Sequence, residues 1–355
     1  MIGYLLFFFI LIVLSQDISN AKNYMMMGVV IFLFCALRFE IGYDYLSYTN
    51  LMKNFSLHDT LYSVRMDELE PLSAYLLKLC VRLDPHLFFV ISSAIIVGGF
   101  WYAIKKTSKY PIESLWLFIA LPFFFMDSLS IVRNAMAYTC VFLAIVLYND
   151  TKRGFLYKLL LIIIAYFFHT SGAIGLLIFF PWGKIKHSLL WGIFIASFLF
   201  GSSMISTVFK YVIFLGDYAF GQFDVYINGD LDLKGGEIMK YLILGLALLV
   251  LIFYKKIVYC GGEKFKYYVG LIVIGGSLYA AFIDFPHVAQ RFCTYFYTPL
   301  LFVLPILFHS FKIKKKLIIT GCLCMFILYL VNMHNGTMNK DGSSAVYPYK
   351  TIFER

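Results

Sequence analysis

Apolar runs long enough to build membrane helices recur along the whole chain, from residues 2–14 to residues 317–331. No polar stretch between them is large enough to make a soluble domain. A bilayer core holds no water to satisfy backbone N–H and C=O groups, so a chain of this kind must satisfy them within helices. Of the 355 residues, 61% are hydrophobic and 14% charged. We therefore expect an all-α, polytopic integral membrane protein, with a single membrane domain over 1–355. A soluble helical protein would have to hide far too many apolar runs.

About twelve transmembrane helices are expected: 2–14, 24–37, 85–104, 115–126, 131–148, 156–168, 173–181, 189–199, 238–254, 267–283, 294–308 and 317–331. The first has no basic residue before it and no small-x-small site after it, so it reads as a span and not as a signal peptide. A turn at 170–172 separates the sixth from the seventh. Within the polar segment 39–84, Glu70-Pro71 marks a helix start, because proline suits the first turn and an acid suits the positive end. The apolar stretch after it is too short to cross, and an interfacial helix is expected there.

The net charge of +10 hints at nucleic acid until the charges are placed. Lys105/Lys106/Lys109, Lys152/Arg153, Lys184/Lys186, Lys255/Lys256/Lys264/Lys266 and Lys312/Lys314/Lys315/Lys316 fall in loops nearly free of acids. By the positive-inside rule these loops are cytoplasmic, and no nucleic-acid partner is expected. The acidic loop 39–84, the loop 216–237 and the C-terminal tail 332–355 then lie outside. The seven cysteines show no Cys-x-x-Cys pair and no zinc spacing, and read as small buried hydrophobes.

Arginine is sorted differently from lysine. Arg153 alone falls in a cytoplasmic loop, whereas Arg38, Arg65, Arg82, Arg133, Arg291 and Arg355 all fall on the outer side. Sidedness by itself does not separate the two residue types. Planar, bidentate recognition of phosphate or carboxylate does. The outer face therefore reads as one that holds an anion.

Four clusters converge on that face. Arg38, Glu40, Asp44 and Tyr48 form the first, and Glu70-Pro71 the second. The third is the turn between two apolar runs that carries Asp127, Arg133 and Asn134. The fourth joins Phe168-His169-Thr170-Ser171 with Asp284, His287 and Arg291. Each has a purely structural reading too. Arg38 and Arg82 could snorkel to headgroups, Glu70 could be only a helix N-terminal acid, and His169 an interfacial histidine. Arg133 could pair only with Asp127, and Arg291 only with Asp284. No serine-nucleophile motif, phosphate loop or zinc motif is present.

The ordered set Arg38-x-x-x-Gly42-x-Asp44-x-x-x-Tyr48, Glu70-Pro71, Ser130-x-x-Arg133-Asn134-x-x-Ala137, Phe168-His169-x-Ser171 and a tail with Pro348-Tyr349 resembles the EpsG-type polysaccharide polymerases. These are relatives of the Wzy polymerases of O-antigen and capsule assembly. The resemblance implies a GT-C-like helical fold in the bacterial cytoplasmic (inner) membrane, with the active site facing outside. It implies a glycosyltransferase that joins undecaprenyl-pyrophosphate-linked oligosaccharide repeat units, moving the growing chain to a hydroxyl of the next unit. Lipids and a chain-length regulator protein are the other partners expected.

In that reading His169, Asp44 and Glu70 are the candidate catalytic groups, for a sugar hydroxyl needs a base. Arg38, Arg133, Arg291, Asn134, His287 and Tyr48 are the candidates for substrate and pyrophosphate. No cofactor and no metal is expected, because two arginines can take the part a metal plays elsewhere. A transporter or flippase for an anionic lipid-linked saccharide is the alternative, since it too needs membrane arginines. It would show broken helices in matching halves, which the sequence does not display. A membrane acyltransferase would bind its donor from the cytoplasm, opposite to His169.

The charge bias makes a prediction. In intact cells, a single cysteine placed near Asp230 should react with an impermeant thiol reagent, and one placed near Lys314 should not. The reverse pattern would invert the topology.

Overall fold

Prolines decide where many of the helices begin and break. The computed structural model describes residues 2–16, 21–57, 69–147, 151–201, 236–339 and 343–354. In chain order the first helices are α1 (Ile2–Leu14), α2 (Ala21–Ala36), α3 (Tyr45–Leu57), α4 (Pro71–Leu83), α5 (Leu87–Thr107), α6 (Pro111–Ala120), α7 (Phe125–Ser130), α8 (Val132–Val146) and α9 (Lys152–Phe168). Pro71 and Pro111 open α4 and α6, and the residues before them, Glu70 and Tyr110, are non-helical. Proline disfavours the helical conformation in its predecessor and needs no N–H partner in a first turn. Pro122 does the opposite. Leu121 before it is extended, so the 115–126 run breaks into α6 and α7 and is not one continuous helix.

The described chain divides into two units, Met1–Leu177 with Lys312–Arg355, and Ile178–Phe311. In the first, α1, α2, α5, α6 and the Lys315–Thr337 helix are tied together at one end. The Trp116 Nε1–H donates to Ser15 Oγ at 2.8 Å, and Lys315 Nζ donates to the Ser15 carbonyl. Tyr24 and Trp101 stack at 5.5 Å and exchange hydrogen bonds with each other's carbonyls, with Lys105 lying over the Trp101 ring. The basic ends of these helices thus gather at one end of the unit.

At the other end the C-terminal tail returns to the first loop. β1 (Arg38–Phe39) pairs antiparallel with β2 (Lys350–Thr351), with Arg38 opposite Thr351 and Phe39 opposite Lys350. Tyr349 stacks on Phe34 at 4.2 Å, and the Tyr4 hydroxyl donates to the Val346 carbonyl at 2.9 Å. Gly42, at φ +109°, lies so close to α7 that a Cβ would sit 2.1 Å from the Leu129 carbonyl oxygen.

In the second unit, the Gly236–Ile252 helix meets Tyr254–Gly261 at a bend of 69°, and Pro286–Tyr297 meets Leu300–Ser310 at 65°. Pro299 sits at the second bend and cannot donate across it. Lys264–Ala281 packs through glycines: a Cβ on Gly275 would meet the Tyr297 ring, and one on Gly276 would meet Ala247. Small residues let apolar helices approach closely where packing must replace the hydrophobic effect.

The protein is all-α in its long elements, with apolar side chains such as Leu6, Phe9, Leu160 and Leu328 facing outward as a bilayer would cover them. Among the described residues, Leu87–Thr107 and Lys315–Thr337 are long and apolar enough to cross a membrane, and each bent pair adds one if it counts as a single span. Other expected spans form apolar helices of 10–17 residues, among them Val132–Val146 and His187–Gly201. The expected turn at 170–172 is present: α9 ends at Phe168, His169 is extended, and a tighter helix runs over Thr170–Phe179. Most of the loop 216–237 and the part of 39–84 holding Arg65 lie outside the described residues.

The Gly42 contact yields a stability prediction. Gly42→Ala should cost about 2 kcal/mol or more, because it adds a clash with backbone to a left-handed φ. Gly98→Ala, in open space, should stay within about 1 kcal/mol. Thermal unfolding in detergent compares the two, and equal midpoints would contradict the close approach.

Candidate functional site

The residue just before α4 carries a carboxylate that its own helix leaves uncommitted. Glu70 is extended and makes no cap bond to its own helix. Its two oxygens instead reach two other segments. Oε2 accepts a charge-assisted hydrogen bond from Arg133 Nη1, and Oε1 accepts the Thr170 N–H at 3.1 Å. A second bond locks the same corner, with the Ser73 hydroxyl donating at 2.7 Å to the Phe168 carbonyl at the end of α9. Glu70 is therefore more than a helix N-terminal acid.

Arg133 stands in the first turn of α8, just after the break at Ile131. Its carboxylate partner is Glu70, and it also hydrogen-bonds the phenol of Tyr48 on α3. The side chain keeps 25% of its surface exposed, while its Nε is buried and makes no hydrogen bond. Asp127, on α7, lies instead within electrostatic reach of Tyr43 and Tyr329. A pairing of Arg133 with Asp127 alone is thus replaced by Glu70 and Tyr48.

His169 completes the cluster. Its Nδ1 lies 4.0 Å from Glu70 Oε1, 2.7 Å from Ser171 Oγ and 3.2 Å from the Ser171 N–H that donates to it. Ser171 Oγ also lies 3.1 Å from Asn134 Oδ1, on the 2%-exposed Asn134 beside Arg133. Because Nδ1 accepts from a backbone N–H, a neutral His169 carries its proton on Nε2. Gly172 makes this corner possible: a Cβ there would meet the Ala165 carbonyl group. Asp44 precedes α3, where its carbonyl accepts the Tyr48 N–H at 2.9 Å and its charge reaches the Tyr48 phenol.

Four stretches far apart in sequence, around residues 44–48, 70, 133–134 and 169–171, therefore meet in the first unit. Arg38 departs from the expectation of an anion-binding arginine. At 1% exposure it has no face open to a ligand. Its Nη atoms donate to the carbonyls of Cys35 and Leu129 and to Ser93 Oγ, and its guanidinium lies 5.0 Å from the centre of the Phe89 ring. Burial lowers its pKa from the ordinary arginine value. The bond to the Leu129 carbonyl ties β1 to α7. His287 and Arg291 lie one turn apart on the Pro286–Tyr297 helix of the second unit, both partly exposed.

Sequence reasoning passed over Ser73 and the Thr170 main chain, for which no local signal exists. Ser171 stood in the motif but had no role until its hydroxyl was found between His169 and Asn134. Among the described residues no three His, Cys, Asp or Glu side chains converge as a metal cage would require.

An apolar, all-α chain of this kind is a membrane-type protein, and an arginine–glutamate–histidine cluster lies within its first unit. The EpsG family profile matches residues 21–351, nearly the whole chain, and the chain belongs to the EpsG family. Searches against curated proteins and against solved structures gave no match.

The cluster's energetics can be tested without a substrate. Glu70→Gln should destabilise the protein by about 1–3 kcal/mol, since it leaves Arg133 without its counter-charge. Arg133→Gln in the same background should recover part of that loss, with a coupling of about 0.5–3 kcal/mol in a double-mutant cycle. Simple additivity would show that the pair contributes nothing.

Proposed function

We propose that this protein is a polysaccharide polymerase that joins undecaprenyl-pyrophosphate-linked oligosaccharide units on the outer face of the bacterial cytoplasmic membrane. Family membership supports the polymerase class. The observation that carries the chemistry is the meeting of Arg133, Glu70, His169 and Ser171 from distant segments. In this reading the helices form a multi-pass, GT-C-like bundle of about twelve spans, and the segments 39–84, 216–237 and 332–355 lie outside.

The transfer breaks the bond between the anomeric carbon of the growing chain and its diphosphate oxygen. It forms a bond from that carbon to a hydroxyl oxygen of the next unit. The electron pair of the broken bond stays on the lipid diphosphate. Arg133, a quarter exposed, meets that developing charge with the accessible donors that Glu70 and Tyr48 leave over. The acceptor's proton goes to His169, the side chain whose ordinary pKa lies near neutrality. Its lone pair is on Nδ1, so the proton passes through Ser171 Oγ, which takes the acceptor's proton as it yields its own. Glu70 then holds both Arg133 and the 169–171 turn in position. Asp44 is the second candidate base. Arg291 and His287, which belong to the second unit, are the further residues proposed to bind substrate.

The test is polymer length made by the purified full chain in lipid, supplied with lipid-linked repeat units. His169→Ala should slow turnover by about 10²–10⁴-fold with the protein still folded, and Ser171→Ala by less. Arg133→Lys keeps the charge and loses the planar fork, so it should be partly defective, and Arg133→Ala more so. Arg291→Ala, assayed separately, should lower the chemical step. Wild-type polymer should be unchanged in chelator. Full activity of Arg133→Ala and His169→Ala would overturn the mechanism. Movement of lipid-linked saccharide across the bilayer without polymer would favour a flippase.

A further inference from the structure

The C-terminal tail does more than close the fold. Together with the first loop it walls a cleft of about 340 Å³, at the low end of the range for small-molecule sites. Gly42 lines it, with its N–H donating to the Ala345 carbonyl at 2.8 Å. Two half-exposed aromatic rings face it, Tyr43 at 43% and Tyr347 at 39%. The Ser344–Tyr347 bridge fixes the second ring, which also packs edge-on against His334 at 5.2 Å. Asn339 and Ser343 line the rim and are tied to each other, side chain to side chain at 3.1 Å and main chain to main chain at 2.7 Å. Glu40 and Lys350 meet at 2.7 Å on the same rim.

Glu40 holds this place at φ +55°, a left-handed conformation that costs a non-glycine residue about 1–2 kcal/mol. Backbone strain of this kind concentrates where a side chain must be aimed. Here the strain aims a carboxylate at the cleft mouth and at Lys350. Because the two charges neutralise each other, the cleft is not built for a diphosphate or a metal ion. What remains is amide, hydroxyl and paired-charge hydrogen-bonding capacity between two aromatic faces. An aromatic ring gives an apolar face with a polar edge, which suits the C–H face and hydroxyl rim of a sugar. Position supports the same ligand. The Tyr43 N–H donates to Ser130 Oγ at 3.3 Å, and Ser130 lies three residues before Arg133, across the break at Ile131.

We infer that this cleft is a saccharide-binding subsite for a neutral, hydroxyl-rich glycan, with Tyr43 and Tyr347 as stacking faces and Asn339 and Glu40 as hydroxyl partners. That the bound glycan is the one being polymerised rests on the proposed function; the cleft's preference for a saccharide does not.

Two experiments separate these claims. In the first, the full chain in lipid nanodiscs is applied to a printed panel of bacterial oligosaccharides and simple disaccharides. The wild type should retain a subset. Tyr43→Ala and Tyr347→Ala should each weaken that retention about tenfold, while Tyr43→Phe and Tyr347→Phe keep it. Asn339→Ala, at an exposed rim position, should weaken it with no change in thermal midpoint, which covers the case of a tyrosine variant that fails to fold. No retained glycan, or equal retention by the alanine variants, overturns the subsite. In the second, the same variants are assayed for polymer from lipid-linked units. A raised KM with kcat preserved supports a subsite serving the polymerase, and an unchanged KM overturns it. Tyrosine-dependent glycan retention by a wild type that makes no polymer would sink the polymerase reading and leave the saccharide cleft standing.

Discussion

A guanidinium in the first turn of an apolar helix must find its counter-charge elsewhere in the chain, and Glu70 supplies it to Arg133. Much of the first unit's polar end depends on that bond. Pro71 places Glu70 at the start of α4 with its carboxylate unspent on its own helix. The free oxygen then takes the Thr170 N–H, which fixes the 169–171 turn next to Arg133. Tyr48 closes the guanidinium from the other side and brings α3 with it. A single ion pair thus sets the relative positions of the acid, the arginine and the histidine.

A second arginine shows how the same residue type is used for architecture. Arg38 is spent on the carbonyls of Cys35 and Leu129, the Ser93 hydroxyl and the Phe89 ring. The Leu129 carbonyl is available because α7 stops at Ser130 and α8 begins only at Val132. Gly42 fits against the same carbonyl, and the tail pairs with β1 above it. The break between two apolar helices therefore gives the loop after β1 and the C-terminal tail something polar to hold. The saccharide cleft forms where those two segments meet.

The second unit solves a different problem. Its helices are bent at 69° and 65°, with glycines on Lys264–Ala281 letting Tyr297 and Ala247 come close. The Tyr297 hydroxyl donates to the Ile243 carbonyl at 2.7 Å, so even a buried phenol in this apolar packing is satisfied. His287 and Arg291 open one arm of a bent pair, a place where a helix N-terminus and polar side chains coincide.

Composition and proline placement by themselves determined that this chain is all-α and apolar and where α4 starts, and the sidedness of the basic loops placed a turn after α9. The first two are local matters: hydropathy, the missing N–H of proline and the conformation it imposes on its predecessor act within a few residues. The residue types of the cluster were also legible, because arginine, glutamate and histidine stand out against apolar runs. Which partner each would take was not. Arg38 and Arg133 look alike in sequence, each at the edge of an apolar run, yet one is buried on carbonyls and the other is paired at a partly exposed site. The choice between Asp127 and Glu70 for Arg133, six and sixty-three residues away, was made by the packing of α4 against α9 and of α8 beside them. Only tertiary structure could decide it, because an ion pair depends on distance in space, and chain separation says little about that once helices fold back on one another.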